Sequence, residues 1–322
     1  MDLDWRAWFA RRLILASQGT RYRGLGGYSP AAFASRGERR PFPQAERESG
    51  AFRDFYNLFP GIPVEAAITG RDVLDFGSGY GGRTVDYARL SGARTVVGVE
   101  PFEAQVRLAA EYAASLGIRN VDFRVCTQTA IPLPDASVDV VVSYDVLEHV
   151  DSPQVSVREI HRVLRPGGTA YVAFPVYFGA TSHHLDYVSA LPGLHWLFSP
   201  RTLIQAVNSV LAEEPRFGTS QQPEPQLSFD GRHYVLPLLN GLSGRHFREL
   251  FASFHVESMR RHALLRGRSV ARSITAFLTG PHMPFILRDA LTSTVASVLV
   301  KPVAAGSCRQ HPHPASAPRG TT

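Results

Sequence analysis

The chain has 322 residues, 44% of them hydrophobic, and a mean hydropathy of -0.08. This predicts a soluble globular protein, with one large α/β domain carrying an insertion or two small domains. No apolar run approaches the roughly 18 residues of a membrane helix, and an acidic N-terminus followed by Arg11 and Arg12 argues against export. Two cysteines, Cys126 and Cys308, form neither a disulfide framework nor a metal cluster. We therefore expect a cytoplasmic protein.

The net charge of +6 is unevenly distributed along the chain. Residues 1–60 contain 10 Arg and 6 acids, residues 245–272 contain 7 Arg and 2 acids, and residues 61–244 contain 13 Arg and 19 acids. An acidic middle argues against nucleic-acid binding, because a duplex-binding groove should be basic near its site. The basic ends could contact an anionic substrate or a membrane surface, or they could be a solvated surface.

The N-terminal segment, residues 1–62, is predicted to be a helical and irregular arm. Apolar residues from Trp5 to Ser17 have helical spacing, residues 19–49 are rich in Gly, Pro, Ser and Arg, and helical spacing returns at 52–59 before Pro60-Gly61.

From Arg71 onward, short apolar strands alternate with helices. Strands are predicted at 73–76, 95–99, 121–125, 138–143 and 169–174, and helices at 83–90, 103–116 and 155–164. Continuous apolar strands separated by helices indicate a parallel sheet covered on both faces. This pattern predicts a doubly wound α/β domain.

After Pro175 the regular alternation ends. An aromatic insertion at 176–240 contains one predicted helix at 200–211, and it is followed by a helix at 246–251 and strands at 255–259 and 294–300. The Pro- and His-rich tail, 304–322, is predicted to be disordered. The binding domain would then span residues 63–303.

A glycine-rich turn follows the first strand, in the segment Val73-Leu74-Asp75-Phe76-Gly77-Ser78-Gly79-Tyr80-Gly81-Gly82. Such a turn lets the backbone approach a ligand and offers free N–H groups, and by itself it could serve NAD, FAD or S-adenosylmethionine (SAM). The spacing differs from the G-x-G-x-x-G of dinucleotide folds. Asp75 would repel a pyrophosphate, but it suits the ammonium and sulfonium of SAM.

A second acid, Glu100, ends the next strand, where a carboxylate can accept both ribose hydroxyls. Phe102 could pack against the adenine face.

Five segments in this order and spacing resemble class I SAM-dependent methyltransferases of the ubiquinone/menaquinone methyltransferase type. They are residues 73–82, 98–100, 131–139, 143–149 (Ser-Tyr-Asp-Val-Leu-Glu-His) and 159–168. The resemblance covers roughly residues 71–175. It implies SAM as cofactor, no metal, and a Rossmann-like, seven-stranded, mostly parallel sheet with an antiparallel last strand and an inserted lid after strand 5.

The resemblance also assigns the cofactor contacts. Asp75, Gly77 and Gly79, with Ser78 and Tyr80, would hold the methionine end. Glu100, Pro101 and Phe102 would hold the ribose and adenine, and Asp145 and Val146 would line the methyl-bearing sulfur. Where the family has an Asp for the adenine amino group, this chain has Thr127 and Gln128, which can both accept a hydrogen bond.

Three histidines are candidate catalytic residues. His149 follows the fourth predicted strand and could be a general base, or it could cap the turn before Asp151. His183 and His184 lie in the insertion and could supply a base or a hydrogen bond to the acceptor; they could also form a surface cluster. Adjacent histidines point apart, which argues against a metal site.

The acceptor is the least determined feature. The Asn/Asp-Pro-Pro-Tyr motif of amino-group methyltransferases is absent, and the aromatic insertion is expected to close over a hydroxyl of a sugar, glycan or small metabolite. The alternatives are a lipid or quinone at a membrane surface, with the N-terminal helix as a peripheral anchor, and a non-catalytic SAM-fold binding module. The oligomeric state is left open.

Overall fold

The computed structural model describes residues 4–18, 42–127, 129–180, 182, 185, 189, 191–213, 239–263 and 283–303. The tail predicted to be disordered, Gln128, His183 and His184 lie outside the described residues.

A seven-stranded sheet in the order β3-β2-β1-β4-β5-β7-β6 forms the centre of the fold. The strands are β1 (Asp72–Phe76), β2 (Thr95–Glu100), β3 (Val121–Val125), β4 (Val138–Tyr144), β5 (Leu164–Phe174), β6 (His255–Ala263) and β7 (Thr292–Val300). The first five strands pair in parallel, and β7 runs antiparallel to both β5 and β6. The predicted doubly wound, mostly parallel sheet with an antiparallel last strand is therefore confirmed.

The described residues form eleven α-helices. They are α1 (Trp5–Gln18), α2 (Pro43–Gly50), α3 (Phe52–Asn57), α4 (Val64–Ile68), α5 (Gly82–Arg89), α6 (Glu103–Ser115), α7 (Pro153–Val163), α8 (Leu194–Leu197), α9 (Pro200–Glu213), α10 (Phe247–Leu250) and α11 (Phe285–Ala290). A 3₁₀ turn, Gly244–His246, precedes α10. None of the helices in the described ranges is long and apolar enough to cross a membrane.

Both faces of the sheet are buried, which is why its central strands are continuously apolar. One face packs on a core that includes Leu74, Val141 and Phe174. The other face packs on a core that includes Val73, Val142 and residues of α3 and α4. Strand order reverses between β1 and β4, so the glycine-rich turn after β1 lies at the point where α/β sheets bind their ligands.

Part of the stretch predicted to be irregular is helical. Residues 43–50 form α2, with Pro43 in its first turn, and Ala45 is buried with Val85 and Tyr112. The expectation of irregular structure was wrong here because the helix is stabilised by packing on α5 and α6, and its own sequence has little apolar character.

The insertion and the N-terminal helix form a separate helical cap. Ala10 and Ile14 of α1 pack with Leu194 of α8, Leu203 and Val207 of α9 and other buried residues. Residues 4–18 therefore join the insertion in space, although some 160 residues separate them along the chain. The predicted domain boundaries themselves stay predictions.

Candidate functional site

The glycine-rich turn has the backbone conformation that only glycine adopts easily. Gly77, Gly79 and Gly81 have φ of 83°, 55° and 82°. A Cβ on Gly77 would lie 2.2 Å from Cγ2 of Val146, so the turn after β1 and the turn after β4 touch at this point. The amides of Gly77 and Ser78 donate to the carbonyl of Val99, which ties the turn to β2.

Asp75 lies buried beneath the turn. Its Oδ2 accepts a hydrogen bond from Thr84 Oγ1 at 2.6 Å, linking β1 to the first turn of α5. Burial raises the pKa of Asp75 to about 7, and the Thr84 hydrogen bond lowers it in part. Asp75 therefore supports the turn from below, and its contact with the methionine end of the cofactor stays a prediction.

Glu100, at the end of β2, reaches the middle of the turn. Its Oε2 accepts a hydrogen bond from the amide of Gly79 at 3.1 Å. Burial raises the pKa of Glu100 to about 7, although the Gly79 amide opposes the shift. The contact holds Glu100 at the mouth of the turn, where a ribose was predicted.

Glu48, which the sequence reasoning missed, comes from α2. Its Oε1 accepts from the amide of Tyr80 at 3.1 Å and its Oε2 from the amide of Gly82 at 3.0 Å. These amides lie at the start of α5, where a helix favours negative charge. Burial raises the pKa of Glu48, and nearby Arg83 lowers it. Pro43 and Gly50 are start and stop signals that could have revealed α2, but nothing local shows what it covers.

Arg83 was also missed, although it stands in the first turn after the glycines. Its guanidinium lies 4.8 Å from the ring centre of Tyr144, in cation–π geometry, and it interacts electrostatically with Glu48, Asp75 and Asp145. Among the described residues that line the turn, it supplies the positive charge.

Four carboxyl groups therefore surround the glycine-rich turn together with the guanidinium of Arg83. Glu48, Asp75, Glu100 and Asp145 all have raised pKa values, because burial disfavours their charged forms. Such a group of acids is stabilised by a ligand that brings positive charge. The sulfonium and ammonium of SAM suit the acids, and Arg83 suits its carboxylate. The residues present thus fit this cofactor.

The turn after β4 contributes Asp145 and Val146. Asp145 has φ of 57° and its amide donates to the carbonyl of Ala173. Although the residue as a whole is exposed, desolvation of its carboxyl raises the pKa of Asp145 to about 6, with Arg83 opposing the shift. The structure thus brings Val146 against Gly77 of the glycine-rich turn and Asp145 near Arg83.

The other predicted cofactor residues differ in burial and in hydrogen bonding. The buried Ser78 side chain lies against Gly98, and its carbonyl accepts from Gly81. Pro101 and Phe102 are exposed at the start of α6. Thr127 Oγ1 accepts a weak bond from the amide of Thr129 at 3.3 Å, so its hydroxyl is engaged in a local turn. The role of Thr127 in adenine binding stays a prediction.

His149 lies at the end of the same β4 turn, where its amide donates to the carbonyl of Val146 at 2.9 Å. Its Nε2 is 3.5 Å from Oε1 of buried Glu148, whose pKa is raised well above its usual value by burial and then by Asp145. Asn240 positions this turn, because its Nδ2 donates to the carbonyls of Leu147 and Val150. Sequence patterns gave no sign of that long-range contact.

A crevice too small to admit a water molecule lies between this turn and the helical cap. It is lined by Glu148, Pro175, Tyr177, Ser182, Leu239, Gly241 and Leu242. In the described part of the chain, no three His, Cys, Asp or Glu side chains come together as metal ligands.

Comparisons with known proteins agree with this geometry. Residues 74–172 match the model of a methyltransferase domain. A Mycolicibacterium smegmatis protein named "Probable S-adenosylmethionine-dependent methyltransferase" is 38% identical over 147 residues, 45% of this chain and 53% of that protein. The ubiquinone biosynthesis O-methyltransferase of Agrobacterium fabrum is 33% identical over 106 residues, 33% of this chain and 41% of that protein. The chain spans about half the length, or less, of these curated relatives.

Solved structures are similar at lower identity. A SAM-dependent methyltransferase from Methanosarcina mazei is 18% identical with a TM-score of 0.45, over 75% of this chain and 98% of that one. A geranyl diphosphate methyltransferase in complex with SAM is 17% identical with a TM-score of 0.47, over 89% and 94%. The fold, the glycine-rich turn with its acids, and the domain match together indicate that residues 74–172 are a methyltransferase domain whose cofactor is S-adenosylmethionine.

Proposed function

We propose that this protein transfers the methyl group of SAM to a hydroxyl of a small molecule, such as a metabolite, sugar or glycan. The observation that carries the proposal is the group of four carboxyls and one arginine around the glycine-rich turn. Glu48 and Glu100 both accept hydrogen bonds from amides of that turn. This arrangement matches the charges of SAM, whereas a pyrophosphate cofactor would be repelled.

Bound SAM supplies a methyl group on a sulfonium, which is already activated for displacement. The protein must align the acceptor and remove the hydroxyl proton. His149 is the described candidate base, because it follows β4 beside Asp145 and Val146 and is partly exposed. We place the acceptor beside this turn after β4, within reach of His149.

A lipid or quinone acceptor is the second candidate. Relatives named as ubiquinone biosynthesis O-methyltransferases from Agrobacterium fabrum and Dictyostelium discoideum are 33% and 27% identical over the matched part. A third candidate is a binding module without catalysis, which would bind SAM and transfer no methyl group.

Calorimetry with SAM and its demethylated product tests cofactor binding, and tritium transfer from methyl-labelled SAM to a panel of phenols, sugars and quinols tests the acceptor class. We expect binding of both ligands and transfer to at least one hydroxyl compound. Binding without transfer to any acceptor would favour the binding module, and failure to bind either ligand would contradict the proposal.

A matched pair of glycine variants controls for folding. Gly77 and Gly117 both have positive φ, but a Cβ on Gly77 would clash with Val146, whereas one on Gly117 would meet nothing within 4 Å. We expect Gly77→Ala to weaken SAM binding more than about tenfold and Gly117→Ala to leave it unchanged, since both carry a similar backbone penalty of roughly 1 kcal/mol.

A further inference from the structure

Helix α1 is apolar on two opposite sides. Ala7, Ala10 and Ile14 are fully buried, and this side packs on α9. On the outward side, Trp5, Trp8 and Phe9 are 72%, 52% and 47% exposed. Residues three and four apart share one helix face. The buried side already stabilises the helix in the cap, so the aromatic side is left for another partner.

Helix α8 continues the same surface. Trp196 and Leu197 are 49% and 71% exposed, and the next residue, Phe198, contacts the ring of Phe9 at 6.1 Å between centroids. We call Trp5, Trp8, Phe9, Trp196 and Leu197 the aromatic face. The three tryptophans of the whole chain all lie on it. Globular proteins seldom expose so many large aromatic side chains together without a binding role.

Arginines lie among these aromatic residues. The guanidinium of Arg6 is 5.3 Å from the Trp5 ring centre and that of Arg12 is 5.5 Å from the Trp8 ring. The nearest acid in sequence, Asp4, accepts from the amide of Ala7 at 2.8 Å and so caps the helix. The surface is therefore both aromatic and positively charged.

This combination fits an anionic bilayer better than it fits a second copy of the chain. Tryptophan is enriched at membrane–water interfaces, and arginine binds lipid phosphates while its stem stays in the apolar layer. Two copies meeting through this face would bring their arginines together at an unfavourable energy. A net charge of +6 adds attraction to an anionic surface.

We propose that the aromatic face docks this protein on anionic phospholipid membranes. Resting on the proposed function, this docking favours the second candidate acceptor, a lipid or quinone dissolved in the bilayer, over a soluble one.

The test measures binding of the full chain to vesicles of phosphatidylcholine with and without 30% phosphatidylglycerol, by co-sedimentation and by intrinsic tryptophan fluorescence. All three tryptophans report on this face, so we expect a blue shift and quenching by brominated lipid. Binding should be stronger to anionic vesicles and weaker at high salt. No binding to anionic vesicles would overturn the proposal.

The variant Trp5→Ser/Trp8→Ser should lower vesicle binding at least tenfold, because both side chains are exposed and their loss costs the fold little. Leu90→Ser/Leu116→Ser, which removes exposed apolar residues elsewhere, is the control and should bind like the parent. Equal binding by the tryptophan variant, or equal loss in the control, would refute the docking face. So would a tryptophan-dependent dimer without vesicle binding.

Calorimetry with SAM on the same variants separates the two proposals. Loss of vesicle binding with unchanged SAM affinity is the expected result for Trp5→Ser/Trp8→Ser. If the parent binds SAM and no vesicles, only the docking proposal fails; if it binds vesicles and no SAM, only the proposed function fails.

Discussion

Carboxyl groups at the two edges of the parallel sheet have pKa values that are shifted in opposite directions. At the amino ends of the strands, Asp72 is hydrogen-bonded by Arg94 and Arg165, and Arg94 chiefly lowers its pKa to about 2. At the carboxyl ends, Asp75 and Glu100 have pKa values near 7, because burial is only partly offset by hydrogen bonds. The acid paired with arginines at the amino ends of the strands stabilises the fold. The raised pKa values of the acids at the carboxyl ends indicate a ligand-binding role.

We expect Arg83 to bind the carboxylate at the amino-acid end of the cofactor. We expect Arg83→Met to weaken SAM binding more than about tenfold, since a charge-assisted pair to a carboxylate is worth roughly 1.5–3 kcal/mol. Binding of methylthioadenosine, which lacks that carboxylate, should change little. Calorimetry with both ligands measures the difference, with Arg107→Met on exposed α6 as the control. Equal losses for both ligands would show that Arg83 acts only through the fold.

Glu48 should contribute to the preference for the cationic cofactor over its neutral product. We expect Glu48→Gln to lower SAM affinity about fivefold more than that of the demethylated product, since removing a partly screened charge costs roughly 1 kcal/mol. Glu46→Gln, on the same helix, is the control. Tighter binding of both ligands to Glu48→Gln would show instead that Glu48 occupies contacts that the ligand needs.

At the scale of elements, α2 and α5 approach so closely that Gly82 cannot carry a side chain. A Cβ there would lie 2.0 Å from the carbonyl oxygen of Ala45 and 2.6 Å from the amide nitrogen of Ser49, both backbone atoms that cannot swing aside. Ser49 Oγ also donates to Asp86 Oδ2 at 2.6 Å. The position of Glu48 over the turn therefore depends on this glycine.

Gly82→Ala should detach α2 from the cofactor turn. Overpacking typically costs 1–3 kcal/mol, and the cheapest relief is to move the short α2 helix away. We expect faster amide exchange at residues 43–50 and weaker SAM binding, with β1 and β4 still protected. Gly70→Ala, at an open position with positive φ, is the control. Unchanged exchange at 43–50 would contradict the packing described here.

Element boundaries were predicted best where the sequence pattern was strongest. β1, β2 and β4 begin within one residue of their predicted positions. β5 begins at Leu164, five residues earlier than predicted, and α7 ends at Val163, because Leu164 pairs with Val138. Pro166-Gly167-Gly168 reads locally as a turn. A cross-strand partner, which the local pattern lacks, extends the strand through it.

At the scale of the whole molecule, the raised pKa values of Asp75 and Glu100 make the stability of the cofactor-free protein depend on pH. An acid whose pKa rises on folding leaves the free energy of unfolding at its full value below the unfolded pKa, near 4. The free energy of unfolding then falls as pH rises through the folded pKa, near 7. We expect the Tm of the cofactor-free protein to fall between pH 5 and pH 8, and SAM affinity to rise as Asp75 and Glu100 ionise. Thermal unfolding and calorimetry across this range measure both.

Asp75→Asn and Glu100→Gln should each flatten the decline in Tm, since the neutral amides cannot ionise. Asp135→Asn, at an exposed acid paired with Arg162, should leave it unchanged between pH 5 and 8. A Tm that rises with pH for the parent would show that these two acids are ionised without cost in the folded protein.

The amino-acid sequence by itself determined the sheet and the cofactor turn. Continuous apolar strands, glycines at 77, 79 and 81, and acids at 75 and 100 are local signals, since each depends on the few residues around it. Only the tertiary structure decided that Glu48 and Arg83 join the turn, that Asn240 holds the His149 turn, and that α1 packs in the cap with its tryptophans outward. These depend on contacts between distant segments, which burial and backbone hydrogen bonding select only once the chain has folded.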